Sequence, residues 1–204
     1  GLGKPANQMM PPGFFGSSEE IPVRAYNPSK AKELLAKAGY PDGFQIDLYC
    51  TSDRLPGDGA ICQGLGQMFS QVGIKTNVNA ISKTVYFPAQ SRLEYSVFMN
   101  GWGTLTGEAS YTLGSLAHSK NPDVKMGAFN RVAYKNDEVD QLLQKGAMTL
   151  DADARRKLYE AAMVKTMEDR VYVPVVQLQT VWAAKKGTVA FKIDVMPAFS
   201  SSEA

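Results

Sequence analysis

The chain has 204 residues, 44% of them hydrophobic and 10% aromatic, with 22 Lys and Arg against 20 Asp and Glu. That length holds one large domain or two small ones, and the apolar fraction excludes a disordered chain. A formal net charge of +2, with the basic residues scattered, leaves no electrostatic footprint for nucleic acid or an anionic membrane. The densest basic run, Arg155-Arg156-Lys157, follows Asp151 and Asp153 and reads as a solvated helix face. The uncharged stretch from Gly59 to Ile74 is interrupted by Gln, Ser and Gly, and is shorter than the roughly 20 apolar residues of a spanning helix. Two Cys exclude a disulfide scaffold and a Cys-rich zinc module. The opening, Gly1-Leu2-Gly3-Lys4-Pro5, carries no targeting signal and reads as the interior of a longer polypeptide.

In chain order, residues 1–26 are extended, broken by Pro5, Pro11, Pro12 and Pro22, with Phe14-Phe15 pinned onto a neighbouring surface. Asn27 caps a helix with Pro28 at its first position, an apolar stripe Ala31, Leu34, Leu35, Ala38, and Gly39 as a left-handed stop. Pro41-Asp42-Gly43 is a turn. Phe44, Ile46, Leu48 and Cys50 alternate with polar residues and predict a strand with one buried face. A loop with Pro56, Gly57 and Gly59 leads to a second helix, striped by Ile61, Leu65, Met68, Phe69 and Val72 and stopped by Gly73. Ile74 to Ala80 alternates as a second strand. This helix–strand–helix–strand rhythm is that of a layered α/β domain.

A short helix follows over 86–93, limited by Pro88, and then a buried strand over 95–99 leading into Gly101-Trp102-Gly103. Residues 103–135 are irregular apart from a helical piece near 110–116. Asn136 caps a helix striped by Val139, Leu142, Leu143, Gly146, Ala147 and Leu150, with Asp137 and Glu138 in its first turn as the helix dipole favours. Asp151 caps another helix running to about Glu168. Residues 171–184 read as one or two strands around Pro174, Lys185-Lys186-Gly187 as a turn, and 200–204 as a frayed tail.

Catalytic constellations are missing: there is no Gly-x-Ser-x-Gly elbow, no phosphate loop and no His-Glu-x-x-His. Gly101, Gly103 and Gly107 have the wrong spacing for a dinucleotide fingerprint. His118 has no nameable nucleophile or orienting partner and reads as an exposed or capping residue. No cofactor or metal site is expected from one His and two Cys. Cys50 and Cys62 either bridge or remain two buried thiols.

The stretch Tyr26-Asn27-Pro28-Ser29-Lys30-Ala31-Lys32-Glu33-Leu34-Leu35-Ala36-Lys37-Ala38-Gly39-Tyr40-Pro41-Asp42-Gly43-Phe44 resembles a hallmark segment of the extracytoplasmic solute-binding proteins of ABC transporters, the peptide- and nickel-binding family 5. Leu2-Gly3-Lys4-Pro5-Ala6, Asn100-Gly101-Trp102-Gly103, the run from Tyr134 to Leu143, and Asp151 to Pro174 resemble other family segments in the same order. The resemblance implies an α/β fold with a mixed sheet flanked by helices, one lobe of a two-lobed periplasmic binding protein of type II-like architecture. It implies a C-terminal lobe, with 1–26 as its lead-in, 27–199 as the ligand-binding body and 200–204 as the tail. It also implies binding without chemistry: capture of a small solute such as a peptide outside the cytoplasm, with the N-terminal lobe and a membrane permease as partners.

In peptide-binding members of the resembled family an Asp lies three residues after the Trp and pairs with the ligand's amino group. Leu105 stands there in this chain. Glu108 is the substitute carboxylate, and Trp102, Thr104, Tyr111, Asn130 and Arg131 complete the expected ligand set, with Arg131 as a carboxylate fork. A peptide-sensing or chaperone-like module on the same fold is the alternative function. A small α/β hydrolase or transferase is a remote one, because no nucleophile motif is present.

Overall fold

The computed structural model describes residues 3–178 and 185 in full, and the backbone of 191–193 and 199–201. The elements are β1 (Gly3–Pro5), α1 (Pro28–Lys37), β2 (Gln45–Thr51), α2 (Asp58–Gln71), β3 (Lys75–Ile81), α3 (Lys83–Ser91), β4 (Val97–Phe98), α4 (Ala109–Leu116), α5 (Asp137–Met148), α6 (Ala152–Glu168), β5 (Val176–Leu178), β6 (Phe191–Ile193) and β7 (Phe199–Ser201). They fall into two compact units, one built from residues up to Arg24 with those from Gly103 onward, the other from Ala25–Trp102. No helix among the described residues is long and apolar enough to cross a membrane. The sequence readings at 1–2, at 179–184 of the expected strands over 171–184, at Lys186-Gly187 and at 202–204 lie outside the described residues.

The Ala25–Trp102 unit is a three-stranded parallel sheet in the order β3-β2-β4, with α2 and α3 as crossovers. β2 pairs with β3 over its whole length, Gln45↔Lys75 to Thr51↔Ile81, and with β4 at Leu48↔Val97 and Tyr49↔Phe98. Of the strand expected over 95–99, Val97 and Phe98 pair, and Met99 N also donates to Tyr49 O at 2.9 Å. Leu48, Cys50 and Cys62 form the buried core, against which Leu65, Phe69, Val78, Val97 and Met99 pack. Cys50 and Cys62 are bridged by a disulfide with Cα atoms 6.4 Å apart, so of the two readings left open the bridge is the one realised.

The local signals of α1 hold. Asn27 Oδ1 accepts from Lys30 N at 2.8 Å, and Gly39, at φ +88°, lets Tyr40 N–H return to Leu35 O at 2.9 Å. Its stripe does not serve as core, however: no residue of α1 is buried and Leu34 is 53% exposed. The buried face of the sheet is already filled by α2. That helix turns Asp58, Cys62 and Gly66 inward rather than Met68, which is exposed. Gly66 explains this choice, since a Cβ there would lie 2.6 Å from Val78 Cγ2. The helix approaches the sheet along its smallest residue, which sets the face.

The other unit packs α4, α5 and α6 around Leu113, Ala117, Tyr134, Val139, Leu143, Tyr159, Met163 and Met167, with Phe14 and Phe15 of the lead-in docked on that core. The lead-in closes on itself through a reciprocal pair: Gln8 Nε2 donates to Ser18 O, and Ser18 N donates to Gln8 Oε1, each at 2.9 Å. β1 pairs antiparallel with β5, Gly3↔Leu178 to Pro5↔Val176. β6 pairs antiparallel with β7. Asn136 Oδ1 caps α5 by accepting from Glu138 N and Val139 N, while its amide and Tyr134 Oη both donate to Asp169 Oδ2. Burial, then the Asp169 hydrogen bond, pushes the Tyr134 phenol above its ordinary range, and the same bond holds Asp169 low. Leu150, expected in the α5 stripe, lies beyond the helix end and is 96% exposed.

His118 is buried rather than exposed or capping. The chain after α4 turns inward, setting Nδ1 2.6 Å from Ser119 O and Nε2 3.0 Å from the Gln144 amide nitrogen, so Nδ1–H donates and Nε2 accepts.

α5 and α6 meet where Gly146 faces Tyr159. A Cβ at Gly146 would lie 2.5 Å from Tyr159 Cε1, and that ring is buried with Phe15 against it, edge-on, at 6.5 Å between centroids. Gly146→Ala gains about 1 kcal/mol of helix propensity but overpacks a buried ring already packed against Phe15, at a cost of about 1–3 kcal/mol. The expected outcome is a net loss of stability in urea denaturation; a gain would mean that the helices part freely there.

Candidate functional site

Parallel strands deliver all their carboxyl ends to one edge, and in open α/β sheets that edge is where ligands gather. Here β2, β3 and β4 end at Thr51, Ile81 and Phe98, and the edge is made by residues 52–57, Ser82 and 99–102. Ser52 N donates to Ile81 O at 2.9 Å and extends the ladder. Asp53 then crosses to the start of α3, accepting from Lys83 N at 2.8 Å and Ser82 Oγ at 3.0 Å. The Lys83 amide is the main reason its carboxyl sits below its ordinary value.

Arg54 is an exposed cation at this edge. Its guanidinium lies over the Phe87 ring, 5.1 Å from the centroid, and Nη1 donates to Asn100 Oδ1 at 3.0 Å. Among the described residues no carboxylate pairs with it. Gly101 makes the close approach possible, because a Cβ there would lie 2.6 Å from Leu55 Cδ1 and 3.6 Å from Arg54 Nη1. Tyr86 Oη donates to Met99 O at 2.8 Å and ties α3 to the exit of β4. Trp102 follows two residues after Asn100 and is half-buried.

Asp58 opens α2 and is 2% exposed. Its Oδ2 accepts from Thr51 Oγ1 at 2.8 Å, Arg54 N at 3.1 Å and Leu55 N at 3.2 Å, and its Oδ1 accepts from Gly59 N at 2.9 Å. Burial pushes its carboxyl pKa up, but these four donors together outweigh burial and hold it below its ordinary value.

The remaining residues of the expected ligand set lie in the other unit. Glu108 precedes α4, and its Oε1 accepts from Arg155 Nε at 2.9 Å. Oε2 has no donor among the described residues. Arg155 also donates to Thr149 O and Leu150 O, and Phe15 lies 5.1 Å from both the Arg155 and the Arg156 guanidinium. Thr104 Oγ1 is buried without a partner among the described residues. Tyr111 is half-buried on α4. Asn130 is buried and engaged within its own segment, donating to His118 O and Tyr134 O and accepting from Tyr134 N. Arg131 lies over the Phe129 ring at 5.5 Å. No group of three or more His, Cys, Asp or Glu among the described residues is placed to hold a metal.

Arg54, Asn100 and Asp58 were missing from the expected set. Their available signal was modest: charged residues in the loop following a predicted strand, and a Gly one residue after Asn100.

The carboxyl edge of the parallel sheet thus carries an oriented arginine, and ligands of open α/β folds gather at such edges. Comparison with known proteins gives the family. Bacterial extracellular solute-binding proteins, family 5 (middle), match residues 1–123, and the chain belongs to this family. The glutathione-binding protein GsiB of Escherichia coli O6:K15:H31 (strain 536 / UPEC) is 32% identical, over the whole of this chain and 40% of that protein. The chain thus spans about two-fifths of the length of the curated relatives it matches. Among solved structures, the ABC transporter-associated periplasmic binding protein DppA from Helicobacter pylori, in complex with the peptide STSA, is 28% identical with a TM-score of 0.75, over 86% of this chain and 33% of that one. A dipeptide-binding protein from Pseudoalteromonas sp. SM9913, in complex with Met-Leu, shares the fold at 20% identity and a TM-score of 0.79, over 98% of this chain and 39% of that one. The fold is therefore that of part of a two-lobed periplasmic binding protein, and the family and the relatives named are binding proteins rather than enzymes.

The carboxylate of Asp58 has a pH signature. Because its folded pKa lies below the ordinary value, its contribution to stability is fully present above the unfolded pKa of about 3.9 and is lost as pH falls through the folded value. The stability gap between the native protein and Asp58→Asn, read from urea denaturation, is expected to be constant at neutral pH and to narrow below about pH 4. A gap independent of pH down to acid unfolding would mean that Asp58 is not held ionised by its donors.

Proposed function

We propose that this chain is part of the substrate-binding component of an ABC importer, which captures a small carboxylate-bearing peptide such as glutathione outside the cytoplasm and delivers it to a membrane permease. The observation that carries the ligand class is the Arg54 guanidinium: fixed by Asn100 and Phe87, unpaired with any carboxylate among the described residues, and set at the carboxyl edge of the sheet. A planar fork with free donors suits a carboxylate. The names of the relatives, a glutathione-binding protein and peptide-bound binding proteins, support the peptide class. The buried Cys50–Cys62 disulfide supports an oxidising, extracytoplasmic compartment. The N-terminal lobe and the permease are the proposed partners, and the ligand leaves chemically unchanged.

Trp102, two residues after Asn100 in the same unit, is the proposed apolar wall. Thr104, Glu108, Tyr111, Asn130 and Arg131 are carried as separate candidates, with Glu108 offering Oε2 to a donor.

Titration calorimetry on the full-length protein with glutathione and with Met-Leu tests the reading. Arg54→Met is expected to weaken binding of the acid by about 1.5–3 kcal/mol, tenfold or more, with Trp102→Ala also weakening it. Unchanged affinity in Arg54→Met would remove the arginine from the site. Glu108→Gln is expected to lower the melting temperature by loosening Arg155; if it also weakens binding, Oε2 is a ligand group.

A further inference from the structure

Between β2 and α2 the chain runs through Ser52–Gly57, an exposed loop with Pro56 and with Gly57 at φ +76°. Left to itself such a segment samples many conformations. The charge it carries, Arg54, is nevertheless held in one place. On the side-chain end, Asn100 and Phe87 hold the guanidinium. On the backbone end the holder is one oxygen atom, since Asp58 Oδ2 accepts from Arg54 N, Leu55 N and Thr51 Oγ1.

A carboxylate in the first turn of a helix ordinarily serves that helix, accepting from its free N–H groups in contact with water. Asp58 differs on both counts. It is 2% exposed, and three of its four donors lie ahead of α2, with only Gly59 in the helix. It is turned back into the loop. The disulfide closes the same segment from below, joining Cys50 before the loop to Cys62 one turn after Asp58.

We infer that Asp58 is a positioning residue for the ligand-gripping arginine: its carboxylate fixes the Arg54 backbone, and thereby the guanidinium, at the carboxyl edge of the sheet before ligand arrives. This rests on Arg54 being a ligand group. The function of Asp58 is preorganisation, which strengthens binding by reducing the ordering left to do on association.

Two measurements on the full-length protein test it. The first is hydrogen exchange at the Arg54 and Leu55 amides. Asp58→Asn is expected to speed exchange at these two amides by about tenfold or more, while the β2–β3 ladder amides stay protected. Unchanged exchange at Arg54 and Leu55 overturns the inference. The second is a double-mutant cycle read by calorimetry with glutathione and Met-Leu as probes. Asp58→Asn is expected to weaken binding about tenfold when Arg54 is present and less than about twofold in the Arg54→Met background. An equal loss in both backgrounds assigns Asp58 a structural role only and overturns the inference. If Asp58→Asn does not fold, Thr51→Val, which removes one of the three donors to Oδ2 and keeps the side-chain shape, is read by the same two measurements with the same signs. If neither probe binds the native protein, the proposed ligand class fails, and exchange at Arg54 and Leu55 alone decides the role of Asp58.

Discussion

The pairing of β2 with β3 on one side and β4 on the other, all three parallel, is the constraint on which the candidate site depends. Parallel neighbours cannot be joined by a tight hairpin, so each strand must be followed by a crossover. Here α2 and α3 provide those crossovers, and each loop that leaves a strand is delivered to the same edge. The Asp53-Arg54 pair, Ser82 and Asn100 are far apart in sequence and reach that edge for this single reason. Their contacts then follow from short-range chemistry: Asp53 caps the start of α3, and Asn100 accepts from Arg54.

Much of the fold was legible because its signals are local. Asn27, Asn136 and Asp151 each accept from backbone N–H groups within three residues, and Gly39 and Gly73 adopt the positive φ that their helix stops require. These interactions are written within one turn of chain. What a stripe packs against is not local. Leu34 has the spacing of a core position, yet it is exposed, because α2 fills the sheet face. Met68 has the spacing too, but Gly66 lets α2 settle along another line. The sequence pattern specifies that a face is apolar; the competition between helices for the sheet decides which face is covered.

The candidate site divides in the same way. Glu108 was visible as a carboxylate in a loop, but its partner, Arg155, lies 47 positions away, and nothing in either local sequence announces the pair. The partner also changes the chemistry. One oxygen is committed to a guanidinium that simultaneously caps Thr149 and Leu150 carbonyls, so removing the Glu108 charge leaves a partly buried Arg155 with a lost counterion as well as any lost ligand bond. Asn130 likewise uses both its amide and its carbonyl to hold the turn from His118 to Tyr134. Polar residues in loops advertise hydrogen-bonding capacity, and only the folded chain shows how much of it is already used.

Arg54 illustrates the opposite outcome. It shares a six-residue stretch with Asp53 and Asp58, and either carboxylate could have neutralised it. Neither does. Asp53 is drawn to the amide of Lys83, and Asp58 is turned inward to the hydroxyl of Thr51 and the backbone of Arg54 itself. The two acidic neighbours therefore shape the loop without quenching its charge. An exposed arginine whose side chain is held, among the described residues, by a neutral amide and an aromatic face keeps most of its donors for an incoming anion. Its stem is already ordered, so less rotamer freedom remains to be lost on binding. The cost of that ordering is met during folding, by a buried carboxylate whose donors are supplied by the very loop it fixes.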